Sequence, residues 1–121
     1  MFTVKSNAAI PHKARFESMI RQLPQAHRQA QHAGIAHTLT AVSAAAEGAG
    51  FDPDLVQVFS HKGTPHVGIV DGPEGDELAD MEFGHPEKDP HPQPVLRTAA
   101  TAAHPQANAQ YRSTLRHGLG L

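Results

Sequence analysis

Ten histidines and a dense run of acidic side chains are the residues of this 121-residue chain that could do chemistry. Neutral imidazole is a common transition-metal ligand, so spacing is the first question. His27, His32 and His37 stand five residues apart, a step of about 500° on an α-helix, which spreads them round the helix instead of stacking them at i and i+4. They read as exposed or interfacial. His85 and His91 flank EKDP and could meet Glu82 or Asp89 as oxygen ligands, but no HExxH-like ordered pair fixes them. Ser60 directly precedes His61 in a segment that reads as strand, where neighbours point to opposite faces, so the two do not form a nucleophile–base dyad. GxSxG, the Walker phosphate loop and GxGxxG are absent. Asp76 and Glu82 lie in a segment so acidic and solvated that neither is set up as a proton donor. No catalytic residue, cofactor or metal is expected, and the chain is not expected to be an enzyme.

The elements that must position these residues follow from periodicity. Phe16, Met19, Ile20 and Leu23 fall at i, i+3, i+4 and i+7, one stripe of a helix from about residue 12, which Pro24 is expected to end or kink. A second helical stretch starts at Pro24, and Ala26, Ala30, Ala33, Ile35, Leu39, Val42 and Ala46 give it a narrow, shallow apolar face up to the stop at Gly48 and Gly50. LVQVFS and PHVGIVDG, joined through His61, Lys62, Gly63 and Thr64, predict a β-hairpin. Its imperfect alternation predicts a sheet covered on both faces, by helices on one side and a partner on the other. The stretch from Gly72 to Pro94 is polar and proline-rich apart from Leu78, Met81 and Phe83, and predicts a shaped loop holding a short strand or a turn of helix. From Val95 the pattern is helical again, with a break at Pro105 and a close at Gly118. One α+β domain results: helical over 12–47, hairpin and loop over 54–94, and a C-terminal helix over 95–117.

Composition narrows the function classes. Only 39% of residues are hydrophobic and many of those are Ala, so an isolated monomer is expected to be marginal and oligomerisation is the natural remedy. With no cysteine, neither a disulfide framework nor a thiolate metal site can form. No apolar run approaches the roughly 18 residues of a membrane span, and the first residues lack the apolar core of a signal peptide, so a soluble protein made in a cytoplasm is expected. A net charge of −2 argues against a dedicated nucleic-acid binder. The charge is nevertheless two-ended. Residues 1–46 carry Lys5, Lys13, Arg15, Arg21 and Arg28 against Glu17, whereas residues 71–89 carry Asp71, Glu74, Asp76, Glu77, Asp80, Glu82, Glu87 and Asp89 against Lys88. Such a split suits complementary contact between neighbouring subunits, with Asp76 and Glu77 on one side, and Ile35, Leu39 and Val42 of the Ala-rich helix are expected in a subunit interface.

The run ELADMEFGHPEKDPHPQPVLRTAATAA resembles the C-terminal signature of a family of phage tail-component or neck proteins, in which "YAxYVEFGT" is followed by a variable loop, "PxPFLRPA" and a closing helix. Residues 78–85 (LADMEFGH) match the first motif and residues 92–99 (PQPVLRTA) the second. Leu78 and His85 stand where the family has Tyr and Thr, and Val95 where it has Phe. The short first helix, the break at Leu23 and Pro24 and the long Ala-rich helix are also similar to that family, although GFDPDLVQVFSHKG replaces its usual "TGxLRxSI" stretch. In physical terms the motif is structural. Phe83 and Met81 are expected to anchor the loop in the core, and Gly84 to permit a tight turn. Pro92 and Pro94 hold an extended approach, from which a buried Leu96 begins the last helix. Arg97 is placed to bond a carboxylate such as Glu82, within the chain or across an interface, or else to be a solvated helix charge.

The resemblance implies a non-enzymatic head-to-tail connector or tail-completion component of a long-tailed bacteriophage, located in the virion neck or upper tail after assembly in the host cytoplasm. It implies a homo-oligomeric ring with heterologous contacts, adjacent neck proteins (adaptor, head-closure, tail terminator or tail tube) as partners, genome DNA in transit without sequence-specific binding, and no membrane. The acidic segment 71–89 is then expected to face either the basic N-terminal helices of the next subunit or the DNA channel. A tail terminator or head-closure protein of the same neck is the nearest alternative. From other classes come a small metal-dependent hydrolase using His85, His91 and Glu82, and an accessory DNA-binding protein using the basic N-terminal helices.

Overall fold

The computed structural model describes residues 2–88 and 90–121, with side chains from residue 13 onward. Asp89 and the side chain of Lys5, both named above, lie outside the described residues. The elements are α1 (Phe2–Gly48), a 3-10 turn (Pro53–Leu55), β1 (Val56–His61), β2 (Thr64–Ile69), α2 (Pro73–Phe83) and α3 (Val95–Gly118). This is the expected α+β arrangement, with three corrections.

The first is that Pro24 neither ends nor starts a helix: α1 is continuous over 47 residues, about 70 Å at 1.5 Å per residue. Pro24 removes one i→i−4 bond, from the carbonyl of Ile20, and both residues are exposed, so water can take that carbonyl. Good helix formers on either side (Arg21, Gln22, Leu23, Gln25, Ala26) carry the helix through. Pro105 fails to break α3 for the same reason. It lies on the solvent side, as does Thr101 four residues earlier, between Ala102, Ala103, Gln106 and Ala107. The third correction concerns residues 73–83, which form an 11-residue helix and not a loop.

The C-terminal half of α1 packs on α3. Ala26, Ala30, Gly34, Val42 and Ala46 are buried and share an i+4 ridge in which the missing bulk lets the second helix come close. A Cβ added at Gly34 would stand 3.2 Å from the Ala107 carbonyl oxygen, and one at Gly118 would stand 2.9 Å from the Ala26 methyl. Gly118 meets Ala26 while Ala107 meets Gly34, so the two helices run antiparallel. His27 Nδ1 and the Tyr111 hydroxyl, 2.7 Å apart, close the far end of this pair.

The core proper sits at the other end, where Val42 and Ala46 of α1 meet Val56, Leu78 and Leu96, with Leu39, Leu55, Val67, Ile69 and Met81 packed around them. The hairpin is antiparallel in the register Val56↔Ile69 to His61↔Thr64. Its loop is thus only Lys62 and Gly63, at φ 52° and 78°, the paired positive φ of a type I′ turn. Val56, Val67 and Ile69 face the core, while Phe59 lies on the outer face over Gly68, whose added Cβ would strike the ring at 2.9 Å. Among the described residues, no helix is long and apolar enough to cross a membrane.

Candidate functional site

Two features converge near Glu82: a clamp that ties α2 to α3, and an apolar groove beside it. The clamp begins with how α2 is started and stopped. Gly72, at φ 139°, turns the chain into Pro73 at the first helical position, and Glu74 and Asp76 complement the N-terminal dipole. Gly75 is buried against the end of β2; a Cβ there would come within 1.8 Å of the Val70 carbonyl oxygen, so no larger residue fits without moving the helix. Gly84 ends α2 at φ 79°, with its N–H donated to Asp80, and a Cβ there would lie 2.8 Å from the Pro90 carbonyl oxygen. The chain then loops back. Gln93 donates its N–H to the Met81 carbonyl at 2.7 Å, and Pro94 leads directly into α3.

Pro94 offers no capping side chain, which leaves the first N–H groups of α3 to be satisfied from elsewhere. Glu82 does this from the preceding helix. Its side chain is 1% exposed, and its carboxylate accepts from Leu96 N at 2.6 Å, Arg97 N at 3.1 Å and Arg97 Nε at 2.7 Å. The Glu82 main-chain carbonyl also accepts from Arg97 Nη2 at 2.7 Å. The guanidinium in turn stands 4.9 Å from the centre of the Phe83 ring, a cation–π distance. One buried anion thereby meets the positive end of α3 and a fixed cation.

Of the sequence-predicted motif residues, Leu78 and Leu96 are buried in the core, and Met81 packs partly against it. Pro92 and Pro94 are exposed and Gly84 makes the turn, but the extended approach is corrected at Pro94, whose φ −78° and ψ 78° centre a tight turn closed by the Val95 N–H on the Gln93 carbonyl at 2.9 Å. Arg97 bonds Glu82 within the chain. Phe83 corrects the expectation: it is 60% exposed and anchors nothing in the core. In the 11-residue α2, Leu78 and Glu82, at i and i+4, take the inner face, and Phe83 is turned outward. Of the proposed interface residues, Val42 is corrected, because it is buried within its own chain, while Ile35 and Leu39 are partly buried. Val42 is core, Leu39 packs on it, and Ile35 lines a shallow cleft with Pro65 and Tyr111. Asp76 and Glu77 are exposed on α2.

The groove was not foreseen. It has a volume of about 370 Å³, opens to the surface between the hairpin, α2 and α3, and is walled by Val67, Ile69, Ala79, Phe83, Leu96 and Ala100, with Arg97 at its edge. Only the outward turn of Phe83 reveals it, and that depends on α2 being a helix.

Among the described residues, no group of three or more His, Cys, Asp or Glu side chains is placed to hold an ion. His85 and His91 do line one cleft with Asp80 and Lys88, but Glu82, their supposed third ligand, is committed to α3. His85 Nδ1 instead accepts the N–H groups of Glu87 and Lys88, both at 3.2 Å, shaping the loop. Ser60 and His61 occupy successive strand positions on opposite faces, and the ring of His61 faces that of His66 with centroids 6.1 Å apart.

Compared with protein-family models, with curated proteins and with solved structures, the chain finds no match.

Proposed function

We propose that this chain is a structural subunit of a tailed-bacteriophage neck, a head-to-tail connector or tail-completion component that closes into a ring around a DNA channel. The observation that carries the reading is the clamp. Glu82 of the first motif, MEFG, holds Leu96 and Arg97 of the second, PVLR, so the two stretches that resemble the phage family form one physical unit. A resemblance by chance composition has no reason to pair its two halves through a buried carboxylate.

Further support is the pattern of surfaces. Large apolar side chains lie uncovered at both ends of the molecule, Phe16, Ile20 and Leu23 at one and Phe83 at the other, and uncovered apolar surface of this kind marks contact sites. The ring assembles in the host cytoplasm, takes its place in the virion between head and tail, and meets other neck proteins on its two rims. DNA passes through it without sequence-specific contact. Electron microscopy of the purified protein, alone and with extracts of disrupted virions, tests this. Closed annuli of one diameter are expected; compact particles with no central opening would contradict it.

A further inference from the structure

From residue 13 to residue 25, α1 projects beyond the reach of α3. α3 reaches only as far as Ala26, where Gly118 abuts its methyl, and from residue 13 to 25 only Ser18 and Met19 are even partly covered. Phe16 is 62% exposed, Ile20 53% and Leu23 45%, and with Met19 they share one stripe of the helix. An arm about 20 Å long, residues 13–25, thus carries an unpartnered apolar face.

The groove of matching character lies at the opposite end of the molecule. Leu23 and Val42, beside the groove, are separated by about 28 Å of continuous helix, so the stripe cannot fold back onto its own groove while α1 is intact. The charges beside the two surfaces are complementary along α2, while Arg97 stands at the other edge of the groove and Glu17 adjoins the stripe. Lys13 and Arg15 flank the stripe on either side. The groove wall contributed by α2, Ala79 and Phe83, is bordered by Asp76 and Asp80, each three residues earlier on the same helix. The groove, with an aromatic rim and apolar walls, is sized for one or two large side chains, the anchor arrangement of protein–protein contacts.

We infer that the Phe16–Ile20–Leu23 stripe of one copy seats in the groove beside Phe83 and Leu96 of the next copy, with Lys13 and Arg15 lying along its acidic α2. The contact is heterologous, arm to groove, and repeats from copy to copy until it closes. It rests on the self-assembly that the ring reading requires and names the surfaces that make it.

The test exploits the absence of cysteine in the chain. Ile20→Cys and Phe83→Cys, combined in one chain and treated with a short bismaleimide, are expected to give a ladder of covalent multimers. Ile20→Cys with Gln57→Cys, the latter exposed on the outer face of the hairpin, is expected to give no covalent multimers. Phe16→Asp with Ile20→Asp is expected to abolish the oligomer in native mass spectra while leaving the helical circular dichroism unchanged, since both side chains are exposed in the single chain, with a melting temperature that no longer depends on protein concentration. If the parent assembles, the Ile20–Phe83 pair does not cross-link and the double aspartate variant assembles like the parent, this inference is overturned and the ring reading stands. If cross-linking is efficient but stops at a dimer, the arm–groove contact is upheld and the ring reading falls. A protein that is monomeric at every concentration and never cross-links overturns both.

Discussion

The two halves of α1 share one unbroken helix and meet opposite fates. The C-terminal half presents Ala26, Ala30, Gly34 and Ala46, which are small and only weakly hydrophobic, and all are buried. The N-terminal half presents Phe16, Ile20 and Leu23, each with far more apolar area, and these stay exposed. Burial here follows what a second element can reach and not how hydrophobic the residue is. Small side chains let α3 approach closely enough to seal the ridge, whereas the larger ones lie past its end. The proposed arm–groove contact would cover these bulky residues, and would add apolar burial to a subunit whose own core is thin.

Variants that exchange the properties of the two regions should break this contrast. Leu78→Ala removes the largest fully buried apolar side chain and is expected to cost about 2–5 kcal/mol in denaturant unfolding; a loss below about 1 kcal/mol would mean the core is not where it is placed here. Glu82→Ala uncaps α3, leaving the buried Leu96 N–H without an acceptor, at about 2–3 kcal/mol. Arg97→Ala should cost less, because Glu82 keeps its two backbone donors and the Arg97 side chain is itself 55% exposed. Thermal melts of the pair check the order, and equal losses would show that the ion pair and not the cap holds the clamp. Ala30→Leu inserts bulk under α3 and is expected to destabilise by about 1–3 kcal/mol. Ile20→Ala on the arm, an equal change in apolar carbon count, is expected to alter monomer unfolding by no more than about 0.5 kcal/mol. A reversal of the last two, followed by chemical unfolding at low protein concentration, would show that the arm is covered within its own chain.

The sequence made much of this visible, for reasons that differ by region. The packed helix, the hairpin and the last helix follow from period and turn chemistry, and the pairing of Arg97 with Glu82 within the chain is one of the alternatives the sequence leaves open. The prolines misled because propensity is local. Pro24 and Pro105 each forfeit one hydrogen bond on a wet face, and strong helix formers on either side outweigh that loss. α2 was hidden because its acidic, exposed face outnumbers its inner residues, of which one, Glu82, is charged and looked like surface. Phe83 misled through its type: an aromatic in a polar stretch reads as an anchor, but one position past Glu82 on a helix it faces outward. On α1, Val42 lies in the core, with Leu39 partly buried against it and Ile35 in a shallow cleft. For the acidic segment the choice lay between a neighbouring subunit and the DNA channel; the placement of Asp76 and Asp80 beside the groove favours the neighbour.

Self-assembly through the exposed half of α1 is the claim on which the rest depends, and native mass measurement of the purified protein over a range of concentration and salt addresses it most directly. One closed oligomer of fixed stoichiometry is predicted, dissociating as salt screens the contact between Lys13 and Arg15 and the acidic α2, and absent from the Phe16→Asp, Ile20→Asp variant. A parent protein that remains monomeric throughout, or an oligomer that the variant leaves intact, would contradict the account.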